Sequence, residues 1–331
     1  MKYQLIRRIP TMSGCSVDVG VTQDGREVIV KRALNPAAAA SLEGYVRQLR
    51  RLRELEGIAD YYPPLLDYTG DTVVFPCYSR GTLDSAAAGS KDSFRRLVSE
   101  AVGCVFAISA HRSFPTDPAD PLDSPTAAAR AFWRLQLTQR LDRLDQAGVD
   151  RAGEPFRSIS RALDDGLLDR VISHAVSRPL GLAAHGDLSL HNVLLTDPGE
   201  AGPAFRLIDL RGSWAGGLPW WDPVLDLATL VTFHGLTEPA LELRDGIARS
   251  PDPGLAALTR DELVEDALAQ PSVQQWVAGD PAWRLRTQLG IVARLLGSVS
   301  VQLSSAPKDR QARAGVVTDL LSHEWRTLLS C

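Results

Sequence analysis

The chain has 331 residues, a formal net charge of −4, and 44% hydrophobic against 23% charged residues, an ordinary balance for a globular protein long enough to form two lobes. No apolar run approaches bilayer length and no basic stripe marks a nucleic-acid or anionic-membrane binder, so neither partner is expected. The four cysteines, at 15, 77, 104 and 331, have neither zinc-site spacing nor a disulfide pattern. With no signal-peptide core in Met1-Lys2-Tyr3-Gln4, a cytoplasmic location is expected.

Residues 3–8, 17–22 and 27–32 read as three short strands, and Gln23-Asp24-Gly25 makes a hairpin turn between the last two. The first connection, Pro10 to Ser16, carries the single glycine Gly14 beside Ser13. Lys31 ends the apolar run Val28-Ile29-Val30, a position usually filled by a solvent-facing edge residue. Ala37 to Glu56 follows as a helix, with Leu42, Val46, Leu49 and Leu52 on one face. Glu43 is the only acid in its first half, which makes it the expected carboxylate partner of Lys31. Pro64 to Tyr68 and Asp71 to Tyr78 read as a fourth and fifth strand.

A long helix is expected over 91–113, broken by the Pro/Asp-rich stretch 115–125, and two more over 126–147 and 155–176. Phe132, Trp133, Gln136, Arg140 and Arg143 are candidates to line a substrate cleft, although a tryptophan at helical spacing more often belongs to a core. Beyond residue 222 the chain reads as helical, with segments near 223–235, 260–270, 279–304 and 309–329. The acids Asp261, Glu262, Glu265 and Asp266 read as a solvated helix face before they read as a cation site. Trp214, Trp220 and Trp221 either stack on an acceptor or wedge the fold. Charge is +1 over residues 1–85, which leaves −5 for the remainder, a small bias compatible with a cationic acceptor.

The decisive stretch is His185-Gly186-Asp187-Leu188-Ser189-Leu190-His191-Asn192, followed by Leu207-Ile208-Asp209 on the next apolar run. Between them, Thr196 to Pro203 is rich in Gly and Pro and reads as an enlarged hairpin loop. An aspartate, an asparagine five residues on and a second aspartate are the groups a phosphoryl transferase needs. One carboxylate faces the acceptor hydroxyl, while an amide and a carboxylate supply hard oxygen ligands for magnesium.

This set resembles the catalytic core of the aminoglycoside phosphotransferase family, which shares the protein-kinase-like fold. The similarity extends to Asp222-Pro223-Val224-Leu225-Asp226-Leu227-Ala228 and spans roughly residues 1 to 235. It implies an α+β bilobal protein: a small N-lobe over 1–78, with a five-stranded antiparallel sheet plus a helix, and a large, mainly helical C-lobe over 79–331. It also implies Asp187 as the catalytic aspartate, Asn192 and Asp209 as Mg2+ ligands, and Lys31, oriented by Glu43, on the α- and β-phosphates of ATP or GTP. Ser13 and Gly14 would approach the phosphates, and backbone near Cys77 and Tyr78 would meet the adenine edge. His185 and Asp222 would brace the catalytic loop, with Asp226 bracing the start of the following helix.

The chain departs from protein kinases at Asp209-Leu210-Arg211-Gly212, which lacks the regulatory phenylalanine, and no Ala-Pro-Glu segment follows. The expected activity is therefore phosphorylation of a small-molecule hydroxyl: an aminoglycoside, another sugar, a nucleoside or an amino alcohol, in antibiotic resistance or natural-product biosynthesis. A kinase acting on Ser or Thr of a ribosomally made precursor peptide is the alternative. A nucleotide-binding pseudokinase ranks last, because all three catalytic positions are filled.

Overall fold

A computed structural model describes residues 2–9, 14–83, 90–110, 125–146, 154–176, 180–182, 185–197, 202–211, 220–234, 260–304 and 308–330. The chain divides into two compact units, one of Met1–Gly89 with Ala184–Pro219 and the other of Ser90–Ala183 with Trp220–Cys331. The segment from His185 to Arg211 therefore folds with the N-terminal sheet, although about a hundred residues separate them in sequence.

In the first unit, β1 (Tyr3–Ile9), β2 (Cys15–Thr22), β3 (Glu27–Ala33), β4 (Asp67–Tyr68) and β5 (Thr72–Pro76) form a five-stranded antiparallel sheet in the order β1-β2-β3-β5-β4. Alternation along β3 buries Val28 and Val30, which pack with Val74, while Lys31 stands opposite Val73. Helix α1 (Pro36–Arg53) starts where Asn35 Oδ1 accepts the Ala38 N–H at 2.8 Å and Pro36 occupies the first turn. Its inward face is Leu42, Tyr45, Val46, Leu49 and Leu52, the last two wholly buried. Truncating either leucine to alanine would cost about 2–5 kcal/mol. A small hairpin, β7 (Val193–Leu195) with β8 (Phe205–Leu207), completes the unit, Val193 standing opposite Leu207.

The second unit is helical: α2 (Lys91–Ala110), α3 (Pro125–Gln146), α4 (Phe156–Asp164), α5 (Leu167–Ala175), α6 (Pro223–His234), α7 (Arg260–Leu268), α8 (Pro271–Val277), α9 (Trp283–Ser304) and α10 (Lys308–Ser330), with a two-residue pair of β6 (Gly181–Leu182) and β9 (Trp220–Trp221). The single helix expected over 155–176 is broken at Gly166, whose φ of 69° is a left-handed conformation that glycine adopts without a Cβ penalty. Pro271 starts the separate helix α8, which leaves α9 to begin only at Trp283. Among the described residues, no helix is long and apolar enough to cross a membrane.

Candidate active site

The loop from His185 to Asn192 is tied together by hydrogen bonds between its side chains and backbone. His185 is fully buried, and both of its ring nitrogens are bonded to backbone. Nδ1 accepts the Asp187 N–H at 3.1 Å, and Nε2 lies 2.9 Å from the Ile208 carbonyl, which fixes Nε2 as the protonated nitrogen. The Asn192 amide donates through Nδ2 to the Asp187 carbonyl at 2.8 Å, so its other end, the oxygen, is the atom turned to other use. The Ile208 N–H donates to the Asn192 carbonyl at 3.0 Å, and the Arg211 N–H to the His185 carbonyl at 2.8 Å. The hairpin thus brings Asn192, just before β7, and Asp209, just after β8, to the same end, as the sequence predicts.

Burial lowers the pKa of His185 from 6.5 to about 4, against the opposing pull of Asp187 and the Ile208 carbonyl. The fold excludes the charged ring, so stability is complete above pH 6.5 and drains as pH falls through about 4. The expected loss is about 3 kcal/mol across that window. Urea unfolding at stepped pH should show this slope in the wild type and a flatter one in His185→Gln, which cannot titrate there. Parallel slopes would contradict the assignment.

Asp209 has a φ of 57°, the only left-handed non-glycine among the described residues, a strained conformation typical of functional positions. Its carboxylate, about half exposed, forms an ion pair with the Lys31 ammonium across 178 residues of sequence. The Asp187 carboxylate is 3.3 Å from Arg211 Nη2, a neighbour that sequence reasoning missed. The expected Lys31–Glu43 pair does not form. Glu43 lies on the exposed side of α1, bonded to Arg47 one turn on at 3.0 Å, because the helix turns its apolar face to the sheet and leaves this residue outside.

Gly14 closes the β1–β2 connection with a φ of 67°, and its carbonyl accepts the Leu34 N–H at 3.0 Å. Ser13 lies outside the described residues. The Cys77 N–H donates to the Glu27 carbonyl at 3.1 Å and so extends the β3–β5 ladder instead of offering a donor to a nucleobase. Cys77 and Tyr78 border a cavity of about 330 Å³ with Arg53, Tyr62 and Arg206, and the Arg206 guanidinium stands 6.0 Å from the Tyr78 ring.

Several candidates belong to the helical unit's interior. Asp222 is buried and caps α6 by accepting the Val224 N–H at 3.0 Å. Its other oxygen accepts from Trp133 Nε1 at 3.2 Å and Arg286 Nε at 2.7 Å. Arg286, which no sequence signal singles out, is 1% exposed and also bonds Asp280 and the Ala175 carbonyl. Burial opposes the charge on this guanidinium, but the two carboxylates outweigh it and raise its pKa above the ordinary arginine value. Phe132, Trp133, Gln136 and Arg140 are all buried, so they line no surface, whereas Arg143 is exposed. Trp221 is core, its ring 4.8 Å from that of Phe132. Trp214 lies outside the described residues. Asp266 is paired with Arg95 at 2.6 Å and Glu262 with Lys91 at 3.6 Å, while Asp261 is exposed.

No protein-family model and no curated protein matches the chain. Solved structures do. A fructosamine-3-kinase candidate from Thermobifida fusca aligns over 100% of this chain and 95% of its own, at 16% identity and a TM-score of 0.57. The ADP-bound aminoglycoside phosphotransferase APH(2'')-Ib aligns over 97% and 93%, at 13% identity and a TM-score of 0.57. The chain has the protein-kinase-like fold. An ethanolamine kinase from Plasmodium vivax, aligned over 97% of this chain and 81% of its own at 10% identity and a TM-score of 0.56, shares it.

Proposed function

We propose that this chain is an ATP-dependent phosphotransferase that moves the γ-phosphoryl group to a hydroxyl of a small molecule. The observation that carries the reading is the joining of Lys31, Asp187, Asn192 and Asp209 within one compact unit, through His185 and the β7–β8 hairpin. The structures it resembles bear the names of aminoglycoside, fructosamine and ethanolamine kinases, which supports a small hydroxylated acceptor over a protein.

In this reading, residues 1–78 serve the nucleotide and 79–331 supply the catalytic loop and the acceptor side. Asp187 orients the acceptor hydroxyl and takes its proton as that oxygen bonds to the γ-phosphorus, while the bond from phosphorus to the bridging oxygen breaks and ADP leaves. Lys31 leaves Asp209 for the α- and β-phosphates when nucleotide arrives, and Gly14 and Ser13 cover them. The adenine edge falls to the Cys77 carbonyl and the Tyr78 backbone, since the Cys77 N–H is committed to Glu27. The Asn192 amide oxygen and the Asp209 carboxylate are hard oxygen donors that suit magnesium. A bound magnesium ion would neutralise charge between the phosphates. His185 braces the loop, and Asp222 braces α6.

Asp209→Asn keeps the shape of the side chain but removes its charge. It should weaken Mg-ATP binding by at least about tenfold, on the scale of a lost charge-assisted contact. Calorimetric titration with Mg-ATP checks this, and affinity equal to wild type, or turnover that survives full chelation of divalent ions, would contradict the assignment of Asn192 and Asp209.

A further inference from the structure

A lysine that must hold phosphates has to be aimed, and in this chain the aim cannot come from an acid on α1. Glu43 is the only acidic residue within Pro36–Arg53, and it is spent on Arg47 at the surface. The residue that α1 turns toward Lys31 is Tyr45. Its side chain is 6% exposed and its ring centroid lies 6.0 Å from the Lys31 ammonium. The ring is itself held, meeting Phe75 edge-on at 5.8 Å and 81°. Phe75 stands opposite Ile29 in the β3–β5 ladder, two residues before Lys31 on the same strand, so ring and ammonium are registered by one piece of sheet. Tyr45 is thereby set against the ammonium end of the Lys31–Asp209 ion pair.

Resting on the phosphotransferase reading above, we propose that Tyr45 is the positioning residue of the nucleotide site, its ring aiming the Lys31 ammonium. The chemistry differs from that of a carboxylate. A carboxylate would compete with the phosphates for the ammonium through a full charge, whereas an aromatic ring attracts the cation more weakly and keeps that attraction where water is excluded. Lys31 is thus left free to exchange Asp209 for phosphate.

The test is a double-mutant cycle read by calorimetric titration with Mg-ATP, which needs no knowledge of the acceptor. Tyr45→Met keeps bulk in the core but removes ring and hydroxyl, and should raise the Kd for Mg-ATP by about tenfold. Tyr45→Phe keeps the ring and should bind Mg-ATP within about twofold of wild type. The Lys31→Ala/Tyr45→Met double variant should bind no more weakly than Lys31→Ala alone, because the ring acts only through the ammonium. A residue that merely fills the core would lower thermal stability yet leave this coupling at zero. Tyr45→Met binding as tightly as wild type, or losses that multiply in the double variant, would overturn the proposal. If Tyr45→Met does not fold, the same cycle with Tyr45→Leu, which also removes the ring, decides: overlapping losses support the proposal and multiplied losses overturn it. A wild-type protein that binds no Mg-ATP would instead sink the phosphotransferase reading itself. Binding that Lys31→Ala weakens but Tyr45→Met does not would sink only the role of Tyr45.

Discussion

Asp187→Ala should abolish phosphoryl transfer, lowering turnover by at least about a thousandfold while Mg-ATP affinity stays within about twofold of wild type. The separation of the two effects follows from how the loop is built. The hydrogen bonds that shape it engage the backbone of Asp187: its N–H donates to His185 Nδ1 at 3.1 Å and its carbonyl accepts from Asn192 Nδ2 at 2.8 Å. Truncation at Cβ leaves both intact, so Asn192 and Asp209 keep their places and only the proton acceptor disappears. Asp187→Asn is the sharper version, since it keeps the side chain's shape beside Arg211. Steady-state kinetics beside calorimetric binding on the same folded preparations would check the split. Near-normal turnover in either variant would remove Asp187 from the chemistry.

The largest stability effect is expected at Asp222, in the helical unit. Asp222→Ala takes one of two carboxylates from the buried Arg286, strips the acceptor from Trp133 Nε1 and uncaps α6. Breaking a buried ion pair from one side costs about 3–5 kcal/mol, with about 1 kcal/mol more for the cap. Against a total of roughly 5–15 kcal/mol for a folded protein, that is a large share. It corresponds to a fall of roughly 10 °C or more in Tm. Asp222→Asn, which keeps the shape and the acceptor but not the charge, should lose less. Chemical denaturation followed by tryptophan fluorescence would measure both, and a loss below about 1 kcal/mol for the alanine variant would contradict the arrangement. An exposed pair such as Arg8–Asp18, with Arg8 64% exposed, should contribute far less.

The parts of the site that could be read from the sequence are those fixed by short-range spacing. His185 to Asn192 is eight residues of local hydrogen bonding, and the Gly/Pro-rich loop before Phe205 dictates the hairpin that carries Asp209 back to it. The sheet was equally readable, because alternation in β3 and the turn at Asp24-Gly25 are local signals. What failed was the phase of α1. At about 100° per residue, Glu43 lies roughly 115° from the centre of the arc made by Leu42, Val46, Leu49 and Leu52, whereas Tyr45 lies about 45° from it. That arithmetic was available from the sequence and points to Tyr45. It is easily overlooked when a carboxylate is expected. Arg286 carried no such signal: its partners, Asp222 and Asp280, are joined to it by tertiary packing, and nothing in the surrounding run of α9 marks an arginine as buried. Trp221 and Trp133 were ambiguous for the same reason, since burial of a ring depends on neighbours that are distant in the chain.

The claim that this is a phosphotransferase is tested most directly by incubating the protein with ATP and magnesium against a panel of amino sugars, nucleosides, amino alcohols and hydroxylated peptides, with Asp187→Asn in parallel. The readout is ADP release together with product mass. At least one small hydroxylated acceptor should gain the mass of a single phosphoryl group, in step with ADP release, in the wild type and not in Asp187→Asn. Acceptor phosphorylation that persists at the wild-type rate in Asp187→Asn, or a folded wild-type protein that neither binds nor consumes ATP, would contradict it.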